Sequence, residues 1–499
     1  MVPVAGKSCG LGRVEVSDDV KIPFATITEL CGTETHYQQV TIGTLPDEVL
    51  LEMFGFYMDQ AQDVDEWHRL VHVCRQWRYI VLASPRRLKL RLLCTDRRPV
   101  REMLSIWPAL PIVICGSYDP ISLVHGAGNI IAALEHHDRV CHIDLQYLPS
   151  SLLERFAAAM QKPFPALEYL ELRSRDEAAP DLPDSFLGEP ASHLRSLVLK
   201  GIAFPALQSL LLSAHHLVWI NLWNIPDYTH TSPEAIVTCL SVLTRLETLR
   251  LGFRSPRPRP DQTNRRQPPQ TRTDLPSLTW LRFQGDSEYL EDLVAQINAP
   301  LLDIIEIMFF DQPIFDISYL PLFISGAEKL SVLNQADIIL DSRSVVVKLS
   351  SQRGEVNRPR LTLGISSIES DWQLSSLVQV CGLSLPPLST LEQLDILEGR
   401  YLRPRWQDDN TEITHWQALL HLFTAVKKLF LSEKLALHVA FALQELTEEG
   451  VTEVLPALQN VFLEGLQPSG ALQEAIGQFV AARQFPDCPL TVNRWERGQ

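Results

Sequence analysis

Three groups of side chains in this 499-residue chain have types and spacings that could do chemistry. His68 and His72 lie four residues apart, which on a helix points two imidazoles the same way, the beginning of a metal site. His136, His137, Cys141 and His142 crowd one short stretch. Neither group carries the HExxH carboxylate or a paired cysteine spacing, so a helix-surface pair and a loop before a strand account for them. No metal and no cofactor is expected. The stretch GAGN at 126–129 lacks both the GxGxxG spacing and the lysine–serine ending of a phosphate loop. A GxSxG nucleophile turn is also absent. What remains is recognition chemistry, carried by aromatic and arginine side chains.

That third group emerges from a repeat. The pattern apolar-x-x-apolar-x-apolar occurs at Val140/Ile143/Leu145, Leu167/Leu170/Leu172, Leu194/Leu197/Leu199, Leu217/Ile220/Leu222, Leu246/Leu249/Leu251, Leu278/Leu281/Phe283 and Leu302/Ile305/Ile307. It returns at Leu391/Leu394/Ile396, Val426/Leu429/Leu431 and Leu458/Val461/Leu463. Units of this length cannot bury a core alone, so they stack and their neighbours supply the core. Each six-residue motif predicts a short strand whose fourth position points inward and whose third and fifth point to an open face. Third positions are His142, Tyr169, Ser196, Trp219, Thr248, Trp280 and Ile304; fifth positions are Asp144, Glu171, Val198, Asn221, Arg250, Arg282 and Glu306. Tyr169, Glu171, Trp219, Asn221, Arg250, Trp280 and Arg282 form the candidate target-binding set, because aromatic rings and guanidinium groups dominate binding hot spots. In the competing reading the rings lie flat and fill gaps in an irregular core.

Segments between the motifs, such as SSLLERFAAAM and EAIVTCLSVL, predict helices that return the chain to the start of the next parallel strand. The expected class is α/β: a short all-helical segment followed by an irregular leucine-rich-repeat solenoid with an open, curved parallel sheet. A regular leucine-rich repeat places Asn or Cys at its ninth position; here Arg175, Ile202, Ile225, Arg254 and Asp286 stand there. No asparagine ladder can satisfy the turns, so the solenoid should be uneven. Residues 340–390 fit worst, and VVVKLSSQRGEVNRPRLTLGI predicts strand, polar turn, strand. Residues 255–276, rich in proline and arginine, predict an exposed loop.

Hydrophobic residues make up 45% of the chain and charged residues 21%, ordinary for a folded protein. The net charge of −16 opposes attachment to phosphate backbones, so no nucleic acid is expected as partner. Nine cysteines without a CxxC pair fit reduced thiols in cytoplasm or nucleus. No apolar run reaches a membrane-spanning length, and residues 1–41 contain no secretory h-region.

The opening helices carry the other signal. LPDEVLLEMFGFY at 45–57 places Leu50, Met53, Phe54 and Tyr57 on one stripe, widened by Val49 and Leu51. WHRLVHVCRQWRYIVL follows, with Trp67, Leu70, Val71, Cys74, Trp77 and Val81 at helical spacing. Then RRLKLRLLC at 86–94 predicts a half-buried strand, and LPIVIC at 110–115 another. A segment of about forty residues is below the size that sustains its own core, so its apolar side chains must meet something else. Leu45-Pro46 with the acidic residue after them, Phe54, Val73-Cys74-Arg75 and Trp77-Arg78 resemble an F-box. With the irregular leucine repeats, most of the chain resembles the large F-box families of mushroom-forming fungi. The resemblance implies that Leu45, Pro46, Val49, Leu50, Phe54, Leu70, Val73, Cys74 and Trp77 lie at or beneath a contact with the Skp-family adaptor of a cullin–RING ubiquitin ligase. It also implies that catalysis belongs to partner subunits and that this chain is not an enzyme.

The expected organisation is a disordered lead at 1–41, an F-box at 42–84, the repeat solenoid at 85–485 and a tail at 486–499. The expected function is target recognition for the ligase, with an unknown protein held on the concave repeat face. The alternative is a leucine-repeat scaffold without a ligase role. A hydrolase on an α/β scaffold is disfavoured by the missing nucleophile motif.

Overall fold

The computed structural model describes residue 42 and residues 45–496, except 62, 178–180, 189–190, 227–230, 257–271, 316, 331, 352–357, 367–369, 385, 400–409, 449–453, 466–469 and 483–489. The expected lead at 1–41 and most of the proline/arginine loop lie outside the described residues. The chain divides into two compact units, one ending at Leu145 and the other starting at Gln146. The helices up to residue 83 share the first unit with the residues that follow them.

The first unit contains α1 (Asp47–Gln60), α2 (Trp67–Val71), α3 (Arg75–Ala83), β1 (Leu92–Thr95), α4 (Val100–Ile106), β2 (Ile112–Cys115), α5 (Pro120–Leu134) and most of β3 (Val140–Leu148). Asp47 and Glu48 in the first turn of α1 oppose its dipole. The stretch expected as one helix from Trp67 breaks at Cys74. Its backbone is extended there (φ −157°), and its Sγ accepts the Trp77 N–H at 3.5 Å, capping α3.

Packing joins the helices to those following residues. Leu50, Phe54, Trp67, Leu70, Val71, Ile80 and Val81 from the helices form one buried cluster with Leu88, Leu90, Leu92 and Leu110. The helices are too few to close a core, and the following residues complete it. Trp67 is fully buried, donates Nε1–H to the Arg91 carbonyl at 2.8 Å, and meets Trp107 edge-on at 5.0 Å.

The strand expected at 86–94 is shorter than its alternation suggests. Leu88 and Leu90 are buried, but the Leu88, Lys89 and Leu90 N–H groups bond back to Ser84, Arg86 and Pro85, and only Leu92–Thr95 is extended. β1, β2 and β3 pair in parallel, with a register shift after Ile112. GAGN lies inside α5. A Cβ on Gly126 would stand 2.1 Å from the Asp96 carbonyl oxygen, and Asn129 Nδ2 donates to that oxygen at 2.9 Å. Close backbone approach explains the glycine.

The second unit, after the end of β3, runs α6 (Ser150–Ala159), β4 (Tyr169–Ser174), β5 (Ser196–Lys200), α7 (Leu207–Ser213), β6 (Trp219–Ile225), α8 (Pro233–Leu240), β7 (Thr248–Phe253), β8 (Thr273–Asp274), β9 (Trp280–Gly285), α9 (Ser287–Val294), β10 (Ile297–Asn298) and β11 (Ile304–Phe310). It continues with α10 (Leu320–Ser325), β12 (Gln335–Asp341), β13 (Ser344–Ser350), β14 (Leu361–Ser366), α11 (Ser370–Ser384) and β15 (Gln393–Glu398). α12 (Asn410–Leu420), β16 (Lys428–Leu431), α13 (Ala436–Glu448), β17 (Asn460–Glu464), α14 (Ala471–Ala482) and β18 (Thr491–Trp495) complete it.

This unit is an α/β strand–helix repeat of the leucine-rich type. β4, β5, β6, β7, β9 and β11 pair in parallel order, and each pairing sets motif position against motif position, as in Ser196↔Trp219↔Thr248↔Trp280↔Ile304. Leu170, Leu197, Ile220, Leu249, Leu281 and Ile305 are buried along the inner row.

Three differences have physical causes. The sheet is not wholly parallel, because the two-residue turn Ser342-Arg343 joins β12 to β13; a connection that short permits only an antiparallel partner. The proline/arginine segment ends earlier than residue 276, since Thr273 and Leu275 donate to Gln296 and Asn298 and hold β8 against β10. The expected tail contains β18, paired in parallel with β17.

Trp67 generates a test. Trp67→Ala should cost about 3–5 kcal/mol from lost packing, and Trp67→Phe about 1–3 kcal/mol because the buried Arg91 carbonyl loses its donor. Urea titration followed by circular dichroism measures both, and two unchanged midpoints would contradict this account of the core.

Candidate functional site

Two surfaces carry the residues singled out above, one in each unit. On the first unit, the nine adaptor-contact residues separate. Leu50, Phe54 and Leu70 are 0%, 2% and 6% exposed and belong to the unit's own core. Leu45 and Trp77 are partly buried against that core, and the Trp77 ring lies 4.7 Å from Phe54. Pro46, Val49, Val73 and Cys74 face solvent. Of the nine, these three lie beneath the surface and not on it.

The outward surface adds Met53 and Phe56, absent from that set, to Val49. Val49, Met53 and Phe56 are spaced by four and three on α1 and are 43%, 44% and 68% exposed. That spacing forms one stripe, turned about 110° around the helix from Leu50 and Phe54. Val73, at the break before α3, is 58% exposed. Polar ties surround the stripe. Gln76 Nε2 donates to Asp47 Oδ1 at 3.0 Å, Arg87 pairs with Glu52, and Lys89 Nζ lies 3.7 Å from Asp59. Tyr57 donates its hydroxyl to Glu66 at 2.7 Å, and that hydrogen bond is the main reason its pKa rises. The sequence pattern marked α1 as apolar over a wide arc; only Phe56 lay wholly outside the reading.

On the second unit, the open-face residues form a layered cluster on β6, β7 and β9. Trp219 and Trp280 flank Thr248 in register. Two strand spacings amount to about 9.6 Å, but over the small threonine side chain the rings lean together, 6.2 Å apart at 77°. The Arg250 guanidinium, two residues along β7, lies 4.9 Å from the Trp219 ring centre and 4.1 Å from that of Trp280.

A second layer repeats the arrangement. The Trp223 ring lies across Gly252, where a Cβ would approach Trp223 Cε3 to 2.6 Å, and Arg282 stacks on Trp223 at 4.5 Å. Arg282 Nε also lies 3.4 Å from Glu306. Trp223 was missed because the motif ends at its sixth residue; the alternation Trp219, Asn221, Trp223 was the available signal.

Burial, and then the neighbouring Arg282, lower the Arg250 pKa, while Glu306 raises it. Tyr169 and Glu171 do not join the cluster. They stand two strands away on β4, where Tyr169 donates to Glu171, and Arg173 Nε lies 2.5 Å from the same buried carboxylate.

The histidines behave as packed groups. His68 lies between the rings of Trp67 (3.9 Å) and Trp107 (4.9 Å), and burial lowers its pKa. His142 is lowered to about 4, first by burial and then by Arg91. Among the described residues no group of three His, Cys, Asp or Glu side chains is placed to hold a metal ion. No described helix is long and apolar enough to cross a membrane.

Two outcomes are expected. Since the folded pKa of His142 lies below the ordinary 6.5, the unfolded chain binds the proton first; this contribution is intact above about pH 6.5 and is lost as pH falls toward about 4. His142→Asn should flatten that part of the stability profile, measured by urea titration across the interval. Gly252→Ala should displace Trp223 and cost about 1–3 kcal/mol, with a red-shifted tryptophan emission. Gly128→Ala, in open space on α5, serves as the control that leaves emission unchanged.

No family model and no curated protein matches the chain. Among solved structures it is similar to the leucine-rich repeat-containing protein LegL7 from Legionella pneumophila, at 12% identity and a TM-score of 0.27, over 80% of this chain and 99% of that one. The repeat assignment rests on the strand register and burial described above, not on this likeness.

Proposed function

We propose that the chain is a non-catalytic recognition subunit: α1 and the start of α3 bind a Skp-family adaptor of a cullin–RING ubiquitin ligase, and the sheet face of the second unit binds a target protein. The observation that carries the first half is the two-sided helix. α1 fills its own core with Leu50 and Phe54 and still presents Val49, Met53 and Phe56 outward. An apolar strip within a polar rim has the anatomy of a protein interface. The Arg/Trp layers on β6, β7 and β9 supply the hot-spot chemistry for the second half. Holding adaptor and target on one chain raises their effective concentration, which is the whole contribution such a subunit makes to ubiquitin transfer. The ligase reading places the protein in the cytoplasm, the nucleus or both.

One observation favours a second reading, a leucine-repeat scaffold with no ligase role. Leu50, Phe54 and Leu70, part of the motif that carries the F-box resemblance, are already satisfied inside the first unit. Co-purification of the full chain with a Skp-family adaptor separates the two. Val49→Glu with Phe56→Glu changes exposed positions only, so folding should persist while adaptor capture falls by at least about a hundredfold, or about 2.7 kcal/mol. Unchanged capture by the folded double variant would remove α1 from the contact, and no capture by the unaltered chain would leave the scaffold reading in place.

A further inference from the structure

Arg250 is a guanidinium without an ion-pair partner of its own among the described residues: Glu306, whose charge it feels, pairs with Arg282. It lies against the Trp219 and Trp280 rings, yet it makes no hydrogen bond or ion pair among the described residues. Arg282 differs, because Glu306 faces it at 3.4 Å. Two guanidinium groups against one carboxylate leave the cluster with one net positive charge. Around it, Asn221 Oδ1, Arg250 Nε and Trp280 Nε1 are shielded from solvent and have no hydrogen-bond partner. The two donors, Arg250 Nε and Trp280 Nε1 on neighbouring strands, are polar demand of the kind an anion meets, whereas Asn221 Oδ1 is an acceptor that calls for a donor.

We propose that Arg250, held by Trp219 and Trp280, is the receptor for one carboxylate of an acidic peptide segment of the bound target. This deepens the proposed function and rests on its reading of the sheet face as a protein-binding surface. Contact with two rings restricts the guanidinium, and a pre-oriented fork binds a planar carboxylate through two parallel N–H bonds at low entropic cost. The charge balance selects a carboxylate over a phosphate. A phosphate group carries about −1.5 to −2 at neutral pH, which would leave uncompensated negative charge beside Glu306. A single carboxylate neutralises the cluster. The Trp223 ring, stacked under Arg282, offers an apolar seat for the side chain next to the acidic residue. The chain as a whole carries −16, so an acidic segment gains attraction chiefly where a guanidinium is free.

The test uses the immobilised full-length chain and pools of fluorescein-labelled octapeptides, acetylated and amidated, with one central residue fixed and the rest degenerate among uncharged residues. The fixed residue is glutamate, glutamine or phosphoserine; a fourth pool has glutamine and a free C-terminal carboxylate. The glutamate pool should be retained at least about tenfold over the glutamine pool, a difference of about 1.4 kcal/mol. Retention of the fourth pool at that level assigns the carboxylate to a chain terminus instead of a side chain and equally supports the receptor. Arg250→Gln should abolish the preference, and Arg245→Gln, an exposed arginine before β7, should leave it intact. If Arg250→Gln does not fold, the unaltered protein still decides the matter: raising salt from about 50 to about 200 mM must weaken glutamate retention and spare glutamine retention, because screening acts only on the charged contact.

Equal retention of the capped glutamate, capped glutamine and free-carboxylate pools overturns the carboxylate assignment and leaves the sheet face as a peptide-binding surface. Persistence of the preference in folded Arg250→Gln, or stronger retention of the phosphoserine pool, also overturns it. Retention of no pool counts against the protein-binding face itself, and so against both readings.

Discussion

The parallel hydrogen-bond ladder of the second unit is the constraint on which its other features depend. Strands β4, β5, β6, β7, β9 and β11 are each held against the next with motif position facing motif position. Period-two alternation then sends one row of side chains under the helices and the next to the open face. Ile220, Leu249, Leu281 and Ile305 become a continuous apolar row, while Asn221, Arg250, Arg282 and Glu306 become a polar one. Register converts residues about thirty positions apart in sequence into nearest neighbours. The Arg/Trp layers exist because the backbone leaves those side chains nowhere else to stand.

Small residues decide how that face is finished. Thr248 and Gly252 sit on β7 between wider neighbours, and over each a ring from an adjacent strand leans inward. A guanidinium then covers the ring. The stacking makes the face rigid and partly dry, which strengthens the electrostatics of Arg250. Both readings of these aromatics describe part of the outcome: the rings pack against one another, and they hold a cation at the surface. Tyr169 and Glu171 show the limit of reading columns alone, since Ser196 and Val198 on β5 separate them from the cluster.

The first unit solves a different problem. Its short helices carry more apolar surface than they can bury among themselves, and Trp67 joins them to the residues that follow through its indole bond to Arg91 and its contact with Trp107. Buried apolar area provides the main stabilisation, and the indole hydrogen bond gives the packing a direction. Among the apolar side chains left outside, Val49, Met53 and Phe56 form a strip on α1 that remains after the core has closed.

The sequence by itself determined the class, the strands of the ten motifs, the irregular hairpin near 345–365 and which residues share a column, because those depend on local periodicity and repeat spacing. It also marked α1 as apolar around a wide arc. Only the tertiary structure decided which side of that arc closes inward, that Leu88 and Leu90 are buried on a turn instead of a strand, that residues 491–495 add a strand, and that Trp223 belongs to the cluster. The physical reason is the same in each case. Hydrophobicity states that a side chain should leave water, but not against which partner. That choice is made by packing between segments distant in sequence, where a methyl group's difference at Thr248 or Gly252 determines whether a tryptophan can lie across its neighbour.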